Sequence, residues 1–177
     1  MKIAVICGSP NHGGTTSRLA DEFIRGAVEA GHEVEKFDLS ELELNLCRSC
    51  DACAKTGKCV FDDGMSVIQP AIIAADAVVM VSPLYYYGIT ANLKAVIDRF
   101  RPFNTQLLRM RKKAALISAC EDGRMWAMNS LTSLFDAMCK YLGWKQCGAV
   151  LALGAGSPGS LNGSKYLAQA YELGRKI

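Results

Sequence analysis

Four of the eight cysteines in this 177-residue chain lie in one short stretch, CRSCDACAKTGKC. They are Cys47, Cys50, Cys53 and Cys59, spaced C-x2-C-x2-C-x5-C. Consecutive x2 steps allow a tight loop to turn three thiolates towards one centre, as in cysteine runs that hold iron–sulfur clusters. Zinc also accepts four thiolates, but its usual sites pair two separated C-x2-C knuckles. The spacing therefore predicts a metal or redox site, and leaves a cluster, zinc and free thiols open.

A second group of polar residues occupies the stretch ICGSPNHGGTTSRLA, which runs from an apolar segment into a helical pattern. Free amides at a helix start, together with flanking hydroxyl groups, form a site for a phosphate dianion. The glycine spacing matches neither GxGxxG nor GxxxxGK[ST], so neither a dinucleotide fingerprint nor a P-loop is predicted. The loop favours a phosphomonoester, and the alternative is an ordinary strand–helix turn with a capped helix.

A third loop, VSPLYYYGIT, places three adjacent tyrosines after an apolar run. Tyrosine rings have broad apolar faces and polar tips, which suit a planar ring system. They could instead cover the core or contact another subunit. Cys120 and Glu121 follow a later apolar run, where Cys120 could simply be a buried thiol.

The elements that position these loops follow from hydrophobic periodicity. Nearly continuous apolar runs at 3–7, 77–82, 114–120 and 148–154 predict strands buried on both faces of a parallel sheet, and the charged run 32–39 fits an edge strand. Segments of helical period alternate with them. We therefore expect a doubly wound α/β sheet of order 2-1-3-4-5, with ligands at the carboxyl ends of the strands. The prediction is one domain over 1–177, with a cysteine-rich insertion loop at about 42–63.

Composition excludes several classes of function. A net charge of +3 without a basic run argues against nucleic-acid binding. The start, MKIAVICGSP, resembles neither a signal peptide nor a membrane span, so we expect a cytoplasmic protein that does not bind membranes and in which disulfides are rare. The two histidines do not stand beside an obvious nucleophile, which argues against a hydrolase.

The loops GSPNHGGTTSRL and SPLYYYGITANLKAVIDR resemble those of the flavodoxin-like NAD(P)H-dependent FMN reductase family. The resemblance implies FMN, with these binding residues: Ser9, Asn11, Thr15, Thr16 and Ser17 for the phosphate, Pro83, Leu84, Tyr85, Tyr86 and Gly88 for the ring, and Cys120 and Glu121 near the pyrimidine end. Where the family often has a basic pair, this chain has Asn11 and His12, which leaves the choice between NADH and NADPH open. Lys94, Asp98 and Arg99 match the end of the second motif, although Lys94 and Asp98 could equally form a surface ion pair.

The cysteine run resembles that of the iron–sulfur flavoproteins, a branch of the same family. This implies a [4Fe-4S] cluster on the four cysteines that exchanges single electrons with the flavin of a neighbouring subunit. Related flavin reductases carry similar cysteines and a following Asp-Asp, here Asp62-Asp63, without any cluster.

The expected function is that of an FMN-dependent oxidoreductase. The electron donor would be NAD(P)H or a reduced protein. The electron acceptor would be a quinone, a flavin, another small molecule or a redox protein. We expect the protein to form a homodimer or a homotetramer. A simple flavodoxin-like carrier is one alternative, disfavoured by a pI of 8.4 because flavodoxins tend to be acidic. A zinc-stabilised interaction protein is another.

Overall fold

The five segments predicted to be strands form a single parallel sheet in a computed structural model that describes residues 1–177. The strands are β1 (Lys2–Cys7), β2 (Glu33–Asp38), β3 (Ala77–Pro83), β4 (Lys113–Ala119) and β5 (Lys145–Ala152). Their order is β2-β1-β3-β4-β5, and every neighbouring pair is parallel. The predicted fold class and strand order are confirmed.

The chain has seven α-helices, and all but the short second one cover the two faces of the sheet. They are α1 (Thr15–Glu29), α2 (Ala52–Thr56), α3 (Met65–Ala74), α4 (Ala91–Asp98), α5 (Asn104–Arg109), α6 (Asn129–Leu142) and α7 (Tyr166–Lys176). Helices α1 and α7 contribute Leu19, Phe23 and Ala170 to the core on one face. Helices α3 to α6 supply the apolar side chains on the other face, such as Ile68 and Leu93. None of the helices combines the length and the apolar character needed to span a membrane.

Two glycines determine how closely α1 and α7 approach each other. A Cβ added at Gly26 would run into the carbonyl of Tyr171, and one added at Gly174 would run into the carbonyl of Phe23. The two backbones are therefore in contact, which no residue larger than glycine would allow. This contact attaches the last helix to the helix that follows the first loop.

The structure differs from the sequence prediction in detail. Strand β5 begins at Lys145 rather than at residue 148, because its first residues, Lys145 and Gln146, are polar and lie exposed at the sheet edge. Val28 of α1 and Val67 of α3 are about half exposed, although both lie in segments of helical hydrophobic period. The insertion loop contains one short helix, α2, none of whose residues is buried. Helix α5 had no periodic signal because it spans only six residues.

Candidate functional sites

A cavity of about 310 Å³ lies at the carboxyl ends of β1, β3, β4 and β5, and we call it the strand-end cavity. Its lining consists of Ser9, Asn11, Gly14, Thr15, Thr16, Pro83, Leu84, Tyr85, Ala119, Cys120, Glu121, Ala155 and Gly156. Nine of the twelve residues predicted from sequence to bind FMN belong to this lining. The sheet therefore brings three loops together, although they are separated by up to 112 residues along the chain.

The first loop presents unpaired backbone amides at the start of α1. The N–H groups of Thr15, Thr16 and Ser17 have no hydrogen-bond acceptor, whereas the N–H of Arg18 already donates to the Gly14 carbonyl (3.2 Å). Gly14 caps the helix without a side-chain bond, so no protein group competes for these donors. The positive end of the helix dipole and three free donors suit a phosphate dianion.

Thr90, the N-cap of α4, connects the first loop to the second. Its hydroxyl donates to the Gly8 carbonyl (2.7 Å) and accepts from the Leu93 N–H (3.3 Å). Its own N–H donates to the Ser82 hydroxyl (3.0 Å). A Cβ added at Gly8 would lie 2.7 Å from both the Thr90 hydroxyl and the Leu93 Cβ, so the two loops pack without space for a larger residue. Sequence analysis did not identify Thr90 as part of the site, although a Thr before a helical pattern is a cap signal.

The tyrosines occupy a tight turn between Tyr85 and Gly88, which exchange two backbone hydrogen bonds of 3.0 Å. Tyr86 and Tyr87 have φ values of 45° and 63°, a conformation unfavourable for a side chain with a Cβ. Tyr85 lines the cavity, whereas Tyr86 is fully exposed. Tyr87 turns outward and stacks on Trp126, with ring centroids 5.4 Å apart.

Three of the residues predicted to bind FMN thus lie outside the lining of the cavity: Ser17, Tyr86 and Gly88. The Ser17 side chain lines a separate polar depression beside His12, so only its amide faces the helix start. Gly88 closes the tyrosine turn through its backbone. Ala155 and Gly156 also line the strand-end cavity, and they lie in a glycine-rich segment to which sequence analysis assigned no role.

Glu121 and Cys120 form the part of the lining that follows β4. A Cβ added at Gly156 would lie 3.1 Å from the Glu121 side chain, so the two loops are in contact. The Cys120 thiol donates to the Asp122 carbonyl (3.1 Å), and burial raises its pKa above the usual value. A neutral thiol at this position contributes a wall and no charge. With free amides at one end and the Leu84 and Tyr85 side chains at the other, the cavity fits a phosphorylated planar ring such as FMN.

A second cavity, of about 560 Å³, lies under the insertion loop, and we call it the cysteine cavity. Its lining consists of Cys47, Arg48, Ser49, Cys50, Asp51, Cys53, Cys59, Val60, Phe61, Asp98, Arg99, Arg101 and Pro102. All four cysteines of the C-x2-C-x2-C-x5-C run are therefore neighbours of one space, and none of them forms a disulfide.

The four thiols surround this space without converging on one point. No three His, Cys, Asp or Glu side chains lie close enough together to hold a single metal ion. Tetrahedral zinc requires such convergence. A [4Fe-4S] cluster takes one thiolate on each of its irons, so its ligands stand further apart around a larger body. Four cysteines around one space supply as many thiolates as such a cluster takes.

The insertion loop is attached to α4 by a buried ion pair. Arg99 donates from Nη1 and Nη2 to the two carboxylate oxygens of Asp63 (2.9 and 3.1 Å), and from Nη1 to the Asn45 carbonyl (2.8 Å). Both side chains are only 2% exposed. Burial by itself would raise the pKa of Asp63, but the Arg99 guanidinium and the N–H groups of Asn45 and Met65 hold that pKa well below its usual value.

Cationic side chains surround the thiols. Arg48 and Arg99 lie over the Phe61 ring, at 5.1 and 5.2 Å from its centroid. The Ala52 N–H and, after it, the Arg48 guanidinium lower the pKa of the Cys50 thiol. A site with several guanidinium groups favours thiolates over thiols, as metal ligation and redox chemistry both require.

Comparisons with known proteins identify the family of the chain. A family model described as NADPH-dependent FMN reductase matches residues 1–165. An iron-sulfur flavoprotein of Archaeoglobus fulgidus is 37% identical over 103 residues, which cover 58% of this chain and 47% of that protein. One of Methanocaldococcus jannaschii is 35% identical over 125 residues, covering 70% and 65%. The matches thus span about half to two thirds of the relatives' own length.

Solved structures agree at the level of the fold. An NAD(P)H:quinone oxidoreductase from Methanothermobacter marburgensis superposes with a TM-score of 0.72 at 19% identity, covering 99% of this chain and 96% of that one. A flavone reductase gives a TM-score of 0.75 at 21% identity, covering 99% and 61%. At these identities the likeness concerns the arrangement of the sheet and helices, and not the substrate.

Proposed function

The chain belongs to the NADPH-dependent FMN reductase family, and from this premise we propose that it is an FMN-dependent oxidoreductase with a [4Fe-4S] cluster in its cysteine cavity. The donor would be NAD(P)H or a reduced protein, and the acceptor a quinone, a flavin or a redox protein. The observation that carries the proposal is the presence of two separate cavities, one lined by nine of the predicted flavin residues and the other by all four clustered cysteines.

In the strand-end cavity, FMN would supply hydride and electron transfer when bound. The free amides of Thr15, Thr16 and Ser17 would hold the phosphate, with the Ser9 and Thr16 hydroxyls beside it. The short phosphate loop and the absence of a dinucleotide fingerprint favour FMN over FAD. The side chains of Leu84 and Tyr85 would cover one part of the ring and exclude water from it.

In the cysteine cavity, a cluster would supply one-electron transfer when bound. Cys47, Cys50, Cys53 and Cys59 would be its ligands. The guanidinium groups of the same lining offset the negative charge of four thiolates, which lowers the cost of gathering them.

The flavin content and the iron content of protein purified without oxygen test the two cofactors separately. Wild-type protein should release mostly FMN on chromatography and hold about four iron and four sulfide per chain. Cys59→Ser should lose most of the iron and keep the flavin, because its side chain lines only the cysteine cavity. Cys147→Ser, at a half-buried thiol of β5 outside both cavities, should keep both cofactors.

Each failure has a distinct meaning. Mostly FAD in the released flavin would contradict the assignment of FMN. No iron in the wild type after anaerobic reconstitution would leave a plain FMN reductase with free thiols. Steady-state oxidation of NADH or NADPH with a quinone then separates an enzyme from a carrier, since a simple carrier should show almost none.

We also propose that the chain forms a homodimer or homotetramer. An exposed apolar patch lies beside the strand-end cavity and consists of three aromatic residues and one methionine: Tyr86, Tyr87, Trp126 and Met125. Protein interfaces are enriched in such residues. Light scattering at micromolar concentration should give a multiple of 19.1 kDa. A mass close to 19.1 kDa itself would refute the oligomer.

A further inference from the structure

Arg99 differs from the other arginines of the cysteine cavity in being buried. Its residue is 3% exposed, whereas the Arg101 side chain is 60% exposed and pairs with Asp51 at the surface (3.2 Å). Arg48 is also exposed. Solvent and salt screen an exposed charge strongly and a buried one weakly. Among these guanidinium groups, Arg99 is therefore the one that solvent screens least, and the buried Asp63 carboxylate balances its charge.

One nitrogen of Arg99 has no partner in the protein. Nη1 and Nη2 bind Asp63 and Asn45, but Nε is buried and makes no hydrogen bond. Buried N–H donors in folded proteins almost always have an acceptor, so this one requires an explanation. Cys59 lines the same cavity as Arg99, and Asp63 is already bound through the other two nitrogens. The free donor therefore belongs to the side of the guanidinium that neighbours Cys59.

We propose that Arg99 is a positioning residue for the cysteine site: its Nε–H donates to the Cys59 sulfur, or to the cluster sulfide next to it, once the site is loaded. The inference deepens the proposed function and rests on it. Asp63 fixes the guanidinium from the opposite side with a two-point bond, so the donor keeps its direction. A hydrogen bond to sulfur favours the more negative state of the site, so Arg99 raises its reduction potential.

Lysine is not equivalent at this position. An ammonium group is a point charge that cannot bind both oxygens of Asp63 and also direct a planar N–H at a sulfur. Arg99→Lys therefore keeps the charge that Asp63 needs and removes the Nε donor. Arg101→Lys is the matched control, because Arg101 lines the same cavity but is exposed.

The experiment uses anaerobic, reconstituted full-length protein labelled with ¹⁵N only in arginine and reduced with dithionite. Pulsed EPR of the wild type should detect a ¹⁵N coupling to the reduced cluster. The coupling should disappear in Arg99→Lys and persist in Arg101→Lys. In a redox titration, Arg99→Lys should shift the ratio of reduced to oxidised cluster at least tenfold towards oxidised, which is about 59 mV for one electron.

The outcomes separate this inference from the proposed function. A wild type that binds no iron overturns both. A wild type that binds about four iron but shows no arginine ¹⁵N coupling overturns only the role of Arg99. An unchanged reduction potential of the cluster in Arg99→Lys would likewise overturn only the role of Arg99. If that variant fails to fold, the wild-type coupling measurement alone decides.

Discussion

The two cavities are built in opposite ways. The strand-end cavity uses the ends of four strands and the first turn of a helix, and its polar groups Ser9, Thr16 and Thr90 are buried and fixed by the sheet. The cysteine cavity uses an insertion loop in which no residue of α2 is buried and all four clustered cysteines are exposed or half-buried. One site is part of the core, whereas the other is attached to it through Arg99 and Asp63.

This difference indicates how each site depends on its ligand. Backbone amides at a strand end are positioned by the fold itself, so the strand-end cavity exists before a ligand arrives. Thiolates in an exposed loop repel each other and become a defined set only when a metal centre binds them. We therefore expect the flavin site to be rigid without its cofactor, and the cysteine loop to gain order on loading.

The largest predicted loss of stability comes from breaking the buried ion pair between Asp63 and Arg99, which attaches the insertion loop to α4. Asp63→Ala leaves the Arg99 charge buried and unpaired, which should lower the free energy of unfolding by about 3–5 kcal/mol. Asp98→Ala is the control, because its pair with Lys94 (2.6 Å) is exposed and should be worth less than about 0.5 kcal/mol. Urea denaturation measures both. Equal losses in the two variants would show that the loop is not held by the buried pair.

A smaller effect is expected at the link between the flavin loops. Thr90→Val keeps the shape of the side chain but removes the hydroxyl that bonds Gly8 and caps α4. Stability should fall by about 1–2 kcal/mol, and FMN retention on gel filtration should fall with it.

The iron content of Thr90→Val should stay at the wild-type value, because the cysteine cavity does not include Thr90. Thr132→Val, which removes a hydroxyl that bonds only the Met128 and Asn129 carbonyls at the start of α6, is the control for stability and flavin. Loss of iron from Thr90→Val would contradict the independence of the two sites.

The ion pair also predicts a pH dependence. The pKa of Asp63 in the folded protein is held below its usual value of 3.8, so its contribution is complete above that pH and is lost as the pH falls below it. The stability advantage of wild type over Asp63→Asn should therefore be constant between pH 5 and 7. It should shrink by on the order of 1 kcal/mol as the pH falls towards 3. An advantage that grows on acidification would contradict the pairing.

The smallest predicted effect is a difference in alkylation rate between the thiols of Cys50 and Cys7, whose surroundings differ. In apoprotein at pH 7, iodoacetamide should label Cys50 several-fold faster than an ordinary thiol, since the Ala52 N–H and Arg48 lower its pKa. Cys7 should remain unlabelled, because burial raises its pKa to about 12. Mass spectrometry of timed digests measures both rates. Labelling of Cys7 in the native protein would show that the strand end opens to solvent.

Hydrophobic periodicity was sufficient to predict the sheet and its order. Strands buried on both faces leave continuous apolar runs, and β1, β3 and β4 show them clearly. Two loops could then be placed at the same edge of the sheet, which explains why most of the predicted flavin residues meet in one cavity. The polar start of β5 and the short helix α5 carry no such pattern, so sequence analysis predicted neither of them.

Side-chain direction within a loop was less predictable. Tyr86 fits a ring-binding site by its chemistry, but the tight turn from Tyr85 to Gly88 directs it into solvent. The pairing of Asp63 with Arg99 joins residues 36 positions apart, and their separate motifs carry no sign that they meet. Thr90 and Gly156 likewise gain their roles only from the tertiary structure.

Helix α4 has Thr90 at one end and Arg99 at the other, so it begins at the link between the flavin loops and ends at the cysteine cavity. Eight residues at 1.5 Å each make it a rod of about 12 Å. The helix is thus a rigid spacer: its length fixes how far the link between the flavin loops stands from the residues Asp98 and Arg99 that line the cysteine cavity.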